Sequence, residues 1–172
     1  MERPMMYAAS VPIFTQMLTG LSGVLDKAAA HAAAKKIDEA VLLQTRLTPD
    51  MFPLARQVQI ACDFAKGTPA RLAGVEVPNF PDTEVSIADL KTRIERTKAF
   101  IAALDQAAID GSADRDISLK VAGREMHFKG QPYLLGFASP NFYFHLTMAY
   151  AVLRANGVEL GKLDFMGIRP PV

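Results

Sequence analysis

Apolar residues return every three to four positions over four long stretches of this chain, and every second position over one short stretch. The first spacing is that of a helix with one buried side, the second that of a half-covered strand. From Ser10 to Ala34, one row holds Ile13, Met17, Gly20, Val24, Ala28 and His31, and beside it runs a second of Phe14, Leu18, Leu21 and Leu25. Two adjacent rows predict a helix with a broad buried face. Lys35 and Lys36 follow it, where the negative end of the helix dipole favours cations. Asp38 can cap a short helix through Leu43. The next long helix is predicted from near Asp50 to Lys66, with an inner stripe of Leu54, Val58, Ala61 and Ala65 and a polar flank of Arg56, Gln59 and Asp63. That flank reads as solvated, with Gln59 able to meet Asp63 one turn on. Gly67-Thr68-Pro69 reads as a break, after which Ala70 to Ala73 can resume the helix.

The third helix is predicted from Ser86 to about Leu104. Ser86 and Asp89 have the spacing of a capping box, Ile87, Leu90, Ile94, Thr97 and Ile101 face inward, and Lys91, Arg93, Glu95, Arg96 and Lys98 face water. Between the second and third helices lies GVEVPNFPDTEV, which has two prolines and no helical period. Fully extended, those twelve residues span about 40 Å, more than the ~27 Å of an eighteen-residue helix. The connector can therefore run the length of a bundle and leave the two helices parallel. Asp116–Val121 and Glu125–Lys129 alternate with period two around Ala122-Gly123-Arg124, which predicts a hairpin with Met126 and Phe128 on the bundle and His127 outward.

The most apolar stretch is Ser139 to Gly157. Ser139 can cap it, Pro140 suits a first helical position, and Gly157 can take the left-handed turn that stops it. Asn141, His145, Ala149 and Val152 make one row, and Phe142, Leu146, Ala149 and Leu153 an overlapping one. Tyr133–Phe137 forms either the opening turns of this helix or a short helix before a kink at Pro140. The tail Val158–Met166 alternates without caps, and Leu163, Phe165 and Met166 are expected to dock on the bundle. These elements give an all-α four-helix bundle, residues 1–172 as a single domain, with a small hairpin before the last helix.

Composition narrows the partners. With 19 basic and 18 acidic side chains the net charge is +1, so no global field draws the chain to nucleic acid or an anionic membrane. No apolar run reaches a transmembrane length, and no cleavage site follows Met1-Glu2-Arg3-Pro4. The single cysteine, Cys62, has no internal partner and suits a reducing compartment, so the expected location is the cytoplasm. Phosphate loops, paired-cysteine metal motifs, H-E-x-x-H and G-x-S-x-G are all missing. The remaining chemistry is His145 on the last helix, His31 near the end of the first, where it complements the dipole, and the polar flank of the second. Tyr143, Tyr150 and Arg154 group on another side of the last helix, which suits either an interface or the sealing of a loop.

The block PNFYFHLTMAYAVLRANGVELGKLDF, with SVPIF near Ser10, LDKAAAHA before Ala33 and DMFPLARQVQIACDFAKG in the second helix, resembles an uncharacterised domain-of-unknown-function family within the DinB/YfiT-like superfamily. That resemblance implies an up-down-down-up bundle. It also implies a divalent metal, zinc or nickel, held by three histidines, one on the second helix and two on the last. Aligned on Leu153-Arg154, His145 matches one histidine and Asn141 stands where the other would be. The helix-two position falls near Gln57 and Gln59. Amide oxygens are weak ligands for such metals, so no metal is expected, and Asn141, His145, Gln57 and Gln59 become candidate ligand-binding residues, with His145 the candidate acid or base. Superfamily members include thiol-dependent transferases and isomerases, so whether this chain is an enzyme stays open. The alternative is a non-catalytic bundle that forms a homodimer or binds a protein through an exposed apolar face.

Overall fold

The computed structural model describes residues 5–168, so Met1–Pro4 and the end of the chain lie outside the described residues. Eight α-helical segments and one hairpin follow in order: α1 (Val11–Lys35), α2 (Glu39–Gln44), α3 (Leu54–Ala73), α4 (Ile87–Ala102), α5 (Gln106–Asp110), β1 (Asp116–Val121), β2 (Arg124–Lys129), α6 (Gly130–Pro132), a π-helical segment (Tyr133–Ala138), α7 (Ser139–Ala155) and α8 (Lys162–Met166). Helices α1, α3, α4 and α7 form the bundle, in which α4 and α7 each touch both α1 and α3.

Paired residues give the directions. On α3 and α7, Arg71 meets Tyr133, Phe64 meets Phe137 and Gln57 meets His145, so the two run antiparallel. Phe14 packs on Phe142, and His31 lies beside Gly157, so α1 and α7 are parallel. Lys91 of α4 pairs with Asp26 of α1, and the Ile87 N–H is held by Glu39 just past the end of α1, so α4 runs against α1. The order is up-down-down-up, with α3 and α4 parallel and joined by the long connector. The apolar rows account for the core: Leu54, Val58, Ala61 and Ala65 of α3, Leu90, Ile94 and Ile101 of α4, and Phe142, Leu146, Ala149 and Leu153 of α7 are all buried. The hairpin pairs Ser118 with His127 and Leu119 with Met126, leaving His127 in solvent and Phe128 on Tyr133 and Phe137.

Five local expectations give way to packing. Helix α3 does not break at Gly67-Thr68-Pro69 but continues to Ala73, because every residue from Ala65 to Ala70 is buried and this packing outweighs the hydrogen bond that Pro69 cannot make. Ser139 is not a cap: its backbone is helical, and α6, the π segment and α7 run on continuously from Gly130. The π segment lies directly before Pro140, where the wider turn relieves the clash of a proline ring with the preceding turn. A short helix, α5, forms where the residue pattern predicts none, capped by both carboxylate oxygens of Asp105. The tail is helical at α8, where Asp164 accepts from the Gly161 N–H at 2.8 Å; Phe165 packs on Tyr150, while Leu163 stays half exposed. Finally, Arg93 does not face water: it is 2% exposed, because the connector folds over it.

Candidate functional site

His145 comes from the middle of α7 and Gln57 from the first turns of α3, and the antiparallel crossing brings them together at the edge of the bundle core. The His145 Nδ1 lies 2.8 Å from the Gln57 Oε1, and the Gln57 Nε2 donates to the Phe52 carbonyl at 3.1 Å. The second bond fixes the first. A backbone carbonyl only accepts, so the amide nitrogen must face Phe52 and the amide oxygen must face the ring. An oxygen facing Nδ1 only accepts in turn, so Nδ1 carries the proton and Nε2 carries the lone pair. Burial, aided by the nearby positive charge of Arg56, holds the imidazole below its usual pKa and therefore neutral near pH 7. Phe64 stacks parallel to the ring at 6.2 Å between centroids, and Phe144 meets it edge-on at 5.2 Å. Nε2 has no protein partner among the described residues and is not sealed in, since the residue keeps 9% of its surface.

The other two candidates do not join this pair. The Gln59 Nε2 donates to Glu84 at 2.8 Å, on the connector side of α3. The Asn141 Nδ2 donates to the Phe137 carbonyl at 2.8 Å, one turn back in the π segment, where the irregular ladder leaves acceptors to fill. His31, Tyr150 and Arg154 also lie elsewhere: His31 beside Gly157, Tyr150 donating to the Leu160 carbonyl and Arg154 to that of Val158, which seals the loop after α7.

A superfamily-type metal finds no matching donor set here. One imidazole nitrogen is bound to an amide, the asparagine is bound to its own helix, and no three His, Cys, Asp or Glu side chains among the described residues come together to hold an ion. The residues present do not fit a three-histidine site.

A second polar centre lies on the opposite flank of α3, and the sequence reading missed it. The guanidinium of Arg93 meets Asp63 at 2.9 Å, Asp82 at 3.0 Å and Glu84 at 2.9 Å, and donates to the Pro81 carbonyl at 3.1 Å. Asp82 also meets Arg56 at 2.6 Å, and Asp63 meets Lys66 at 3.2 Å. Burial pushes the Glu84 carboxyl up, but the hydrogen bonds from Arg93 and Gln59 outweigh it and hold the group below the carboxylate range. Beneath this centre the Cys62 thiol is pushed up to about 12 by burial, so it stays protonated and unreactive. The available sequence signal was the acidic connector itself, with Asp82 and Glu84 shortly before a helix flank that carries Arg93 and Arg96.

The comparisons agree with the geometry. Residues 6–166 match the pattern of a domain of unknown function, DUF1993. The crystal structure of a DinB family member protein from Shewanella denitrificans superimposes with a TM-score of 0.88 at 39% identity, covering 99% of each chain. No curated protein matches. With the family pattern spanning nearly the whole chain and a DinB-family bundle superimposing end to end, the chain belongs to the DUF1993 family, related to the DinB/YfiT-like four-helix bundles.

Proposed function

We propose that this bundle binds a small molecule at His145 without a metal, using the Nε2 lone pair as a hydrogen-bond acceptor or base. One observation carries the reading: Gln57, itself fixed on the Phe52 carbonyl, holds the ring in a single neutral tautomer and leaves Nε2 with no protein hydrogen bond among the described residues. An acceptor that the fold fixes in one tautomer and leaves open to solvent can take a ligand's hydrogen-bond donor or proton. Phe52 and Phe144 each expose about half of their surface near the pair, and suit the apolar body of such a ligand. The reduced, buried Cys62 fits a cytoplasmic setting. The test is nitrogen-15 NMR of the histidines during a screen of small fragments. The reading expects a neutral Nδ1–H tautomer for His145 and a fragment-induced shift confined to it and its neighbours, abolished in His145→Phe. A charged ring at neutral pH, or no fragment reaching it, refutes the reading.

A specific observation also favours self-association. From Gly130 to Leu153 the continuous run of α6, the π segment and α7 carries no Asp, Glu, Lys or Arg, and its outer side exposes Leu135, Pro140, Tyr143 and Phe144. An uncharged strip can meet its own two-fold copy without like charges opposing each other. Sedimentation velocity expects a concentration-dependent dimer that Phe144→Lys abolishes. A wild-type protein that stays monomeric at high concentration refutes this second reading.

A further inference from the structure

The connector from Gly74 to Ser86 is attached in an unusual way. None of its residues is fully buried, and from Glu76 to Glu84 it makes no backbone-to-backbone hydrogen bond among the described residues. Its anchors are charges. Asp82 meets Arg56 and Arg93, Glu84 meets Arg93 and Gln59, and the Phe80 ring lies between the Lys66 Nζ and the Arg96 guanidinium, each 4.2 Å from its centroid. The apolar stripes of α3 and α4 point the other way, into the core, and need nothing from this segment.

The surface under it is strongly cationic. Arg56 and Lys66 of α3 and Arg93 and Arg96 of α4 face the connector, and the two helices set Asp63 and, at the first turn of α4, Asp89 against them. Cys62 and Thr97 below are uncharged. Four cations against two carboxylates leave the groove cationic, and Asp82 and Glu84 of the connector supply the anions that balance it. The groove is not filled. The buried Nε–H of Arg93 has no acceptor among the described residues, and a cavity of about 330 Å³ opens beside it between Thr83, Glu84, Asp89, Thr92 and Arg96, where the Asp89 carboxylate is already taken by the Val85 and Ser86 N–H groups.

We propose that residues 75–86 are a charge-held strap serving as the internal ligand of a cationic groove between α3 and α4, and that a polyvalent oxyanion takes the groove when the strap lifts. Planar guanidinium groups suit such an anion, which would meet Arg93, Arg96, Arg56 and Lys66 in place of Asp82 and Glu84. This does not rest on the reading of His145.

The chain has no tryptophan, so Phe80→Trp places a single fluorophore in the strap while keeping its stacking between two cations. Fluorescence, acrylamide quenching and far-ultraviolet circular dichroism are followed in full-length protein as sodium chloride is raised and, at low salt, as inorganic triphosphate is added. Both additions are expected to red-shift the emission and raise quenching about twofold while helicity holds, because salt screens the exposed Arg56–Asp82 pair next to Phe80 and triphosphate competes for the cations. Calorimetry of an Asp82→Asn, Glu84→Gln variant is expected to show triphosphate binding about tenfold tighter than wild type. The proposal is overturned if the fluorophore ignores both additions, if it moves only together with loss of helicity, or if the double variant gains no affinity.

Discussion

At the scale of single residues, a polar side chain in this bundle is explained by what its partner's chemistry permits. Gln57 can hold His145 only as a neutral donor at Nδ1, since both the carbonyl behind Gln57 and the oxygen in front of it are acceptors. The consequence for stability has a definite sign. The folded pKa of His145 lies below its ordinary 6.5, so the unfolded chain binds the extra proton first as pH falls. The contribution is fully present above 6.5 and is lost as pH drops through that value toward the folded pKa. Melting temperatures between pH 7.5 and 5.5 should therefore fall in the wild type and fall less in His145→Gln. Equal slopes would show that the ring is not held neutral. The sequence identified His145 as inward-facing and placed it near Gln57 and Gln59, but it could not choose between two glutamines two residues apart. They sit about 200° apart around α3, so one meets α7 and the other meets the connector.

At the scale of elements, close approaches and turns decide which small residues are replaceable. Helix α8 docks on α1 across Gly20, where an added Cβ would sit 2.7 Å from the Phe165 carbonyl oxygen and 2.8 Å from the Gly167 nitrogen. Lys27–Asp164 and the bond from Gln16 to the Met166 carbonyl hold the same helix. Gly20→Ala should cost about 1–3 kcal/mol by overpacking and release α8, read as new proteolytic cleavage near residue 162 with the bundle intact. The hairpin turn offers the opposite change. Ala122 sits at φ +48°, before Gly123 at +82°, a pair of left-handed positions where asparagine followed by glycine is preferred. Ala122→Asn should stabilise by about 0.5–1 kcal/mol in urea unfolding, provided the hairpin is lost with the global transition. Both turn positions were visible in the sequence as a hairpin signal. The docking of α8 was not, because five residues without a strong apolar period become a helix only once a groove on α1 accepts them.

At the scale of the whole molecule, an apolar bundle carries two peripheral pieces fastened largely by charge, the connector over α3 and α4 and α8 on α1. Glu84 in the first and Asp164 in the second have carboxyls held below their ordinary values of 4.5 and 3.8, the latter chiefly by the hydrogen bond with Lys27. A depressed carboxylate stabilises the fold above its unfolded pKa and loses that contribution as pH falls through the folded one. Acid titration below about pH 4.5 should therefore loosen both pieces before the core, seen as new cleavage by pepsin near residues 80 and 163 while helical ellipticity persists. Simultaneous loss of helix would show that they are integral to the bundle. The sequence alone determined the four rods, their inward faces, the hairpin and the connector's reach, because these follow from spacings along one segment and from the length of the chain between two. Only the tertiary structure decided where the polar residues went: Arg93 under the connector, Gln59 to Glu84, Asn141 back onto its own helix. A helical period tells which residues leave the core, but a residue outside the core meets water or another strand of chain according to where a loop is laid, and that path is set by contacts between residues distant in sequence.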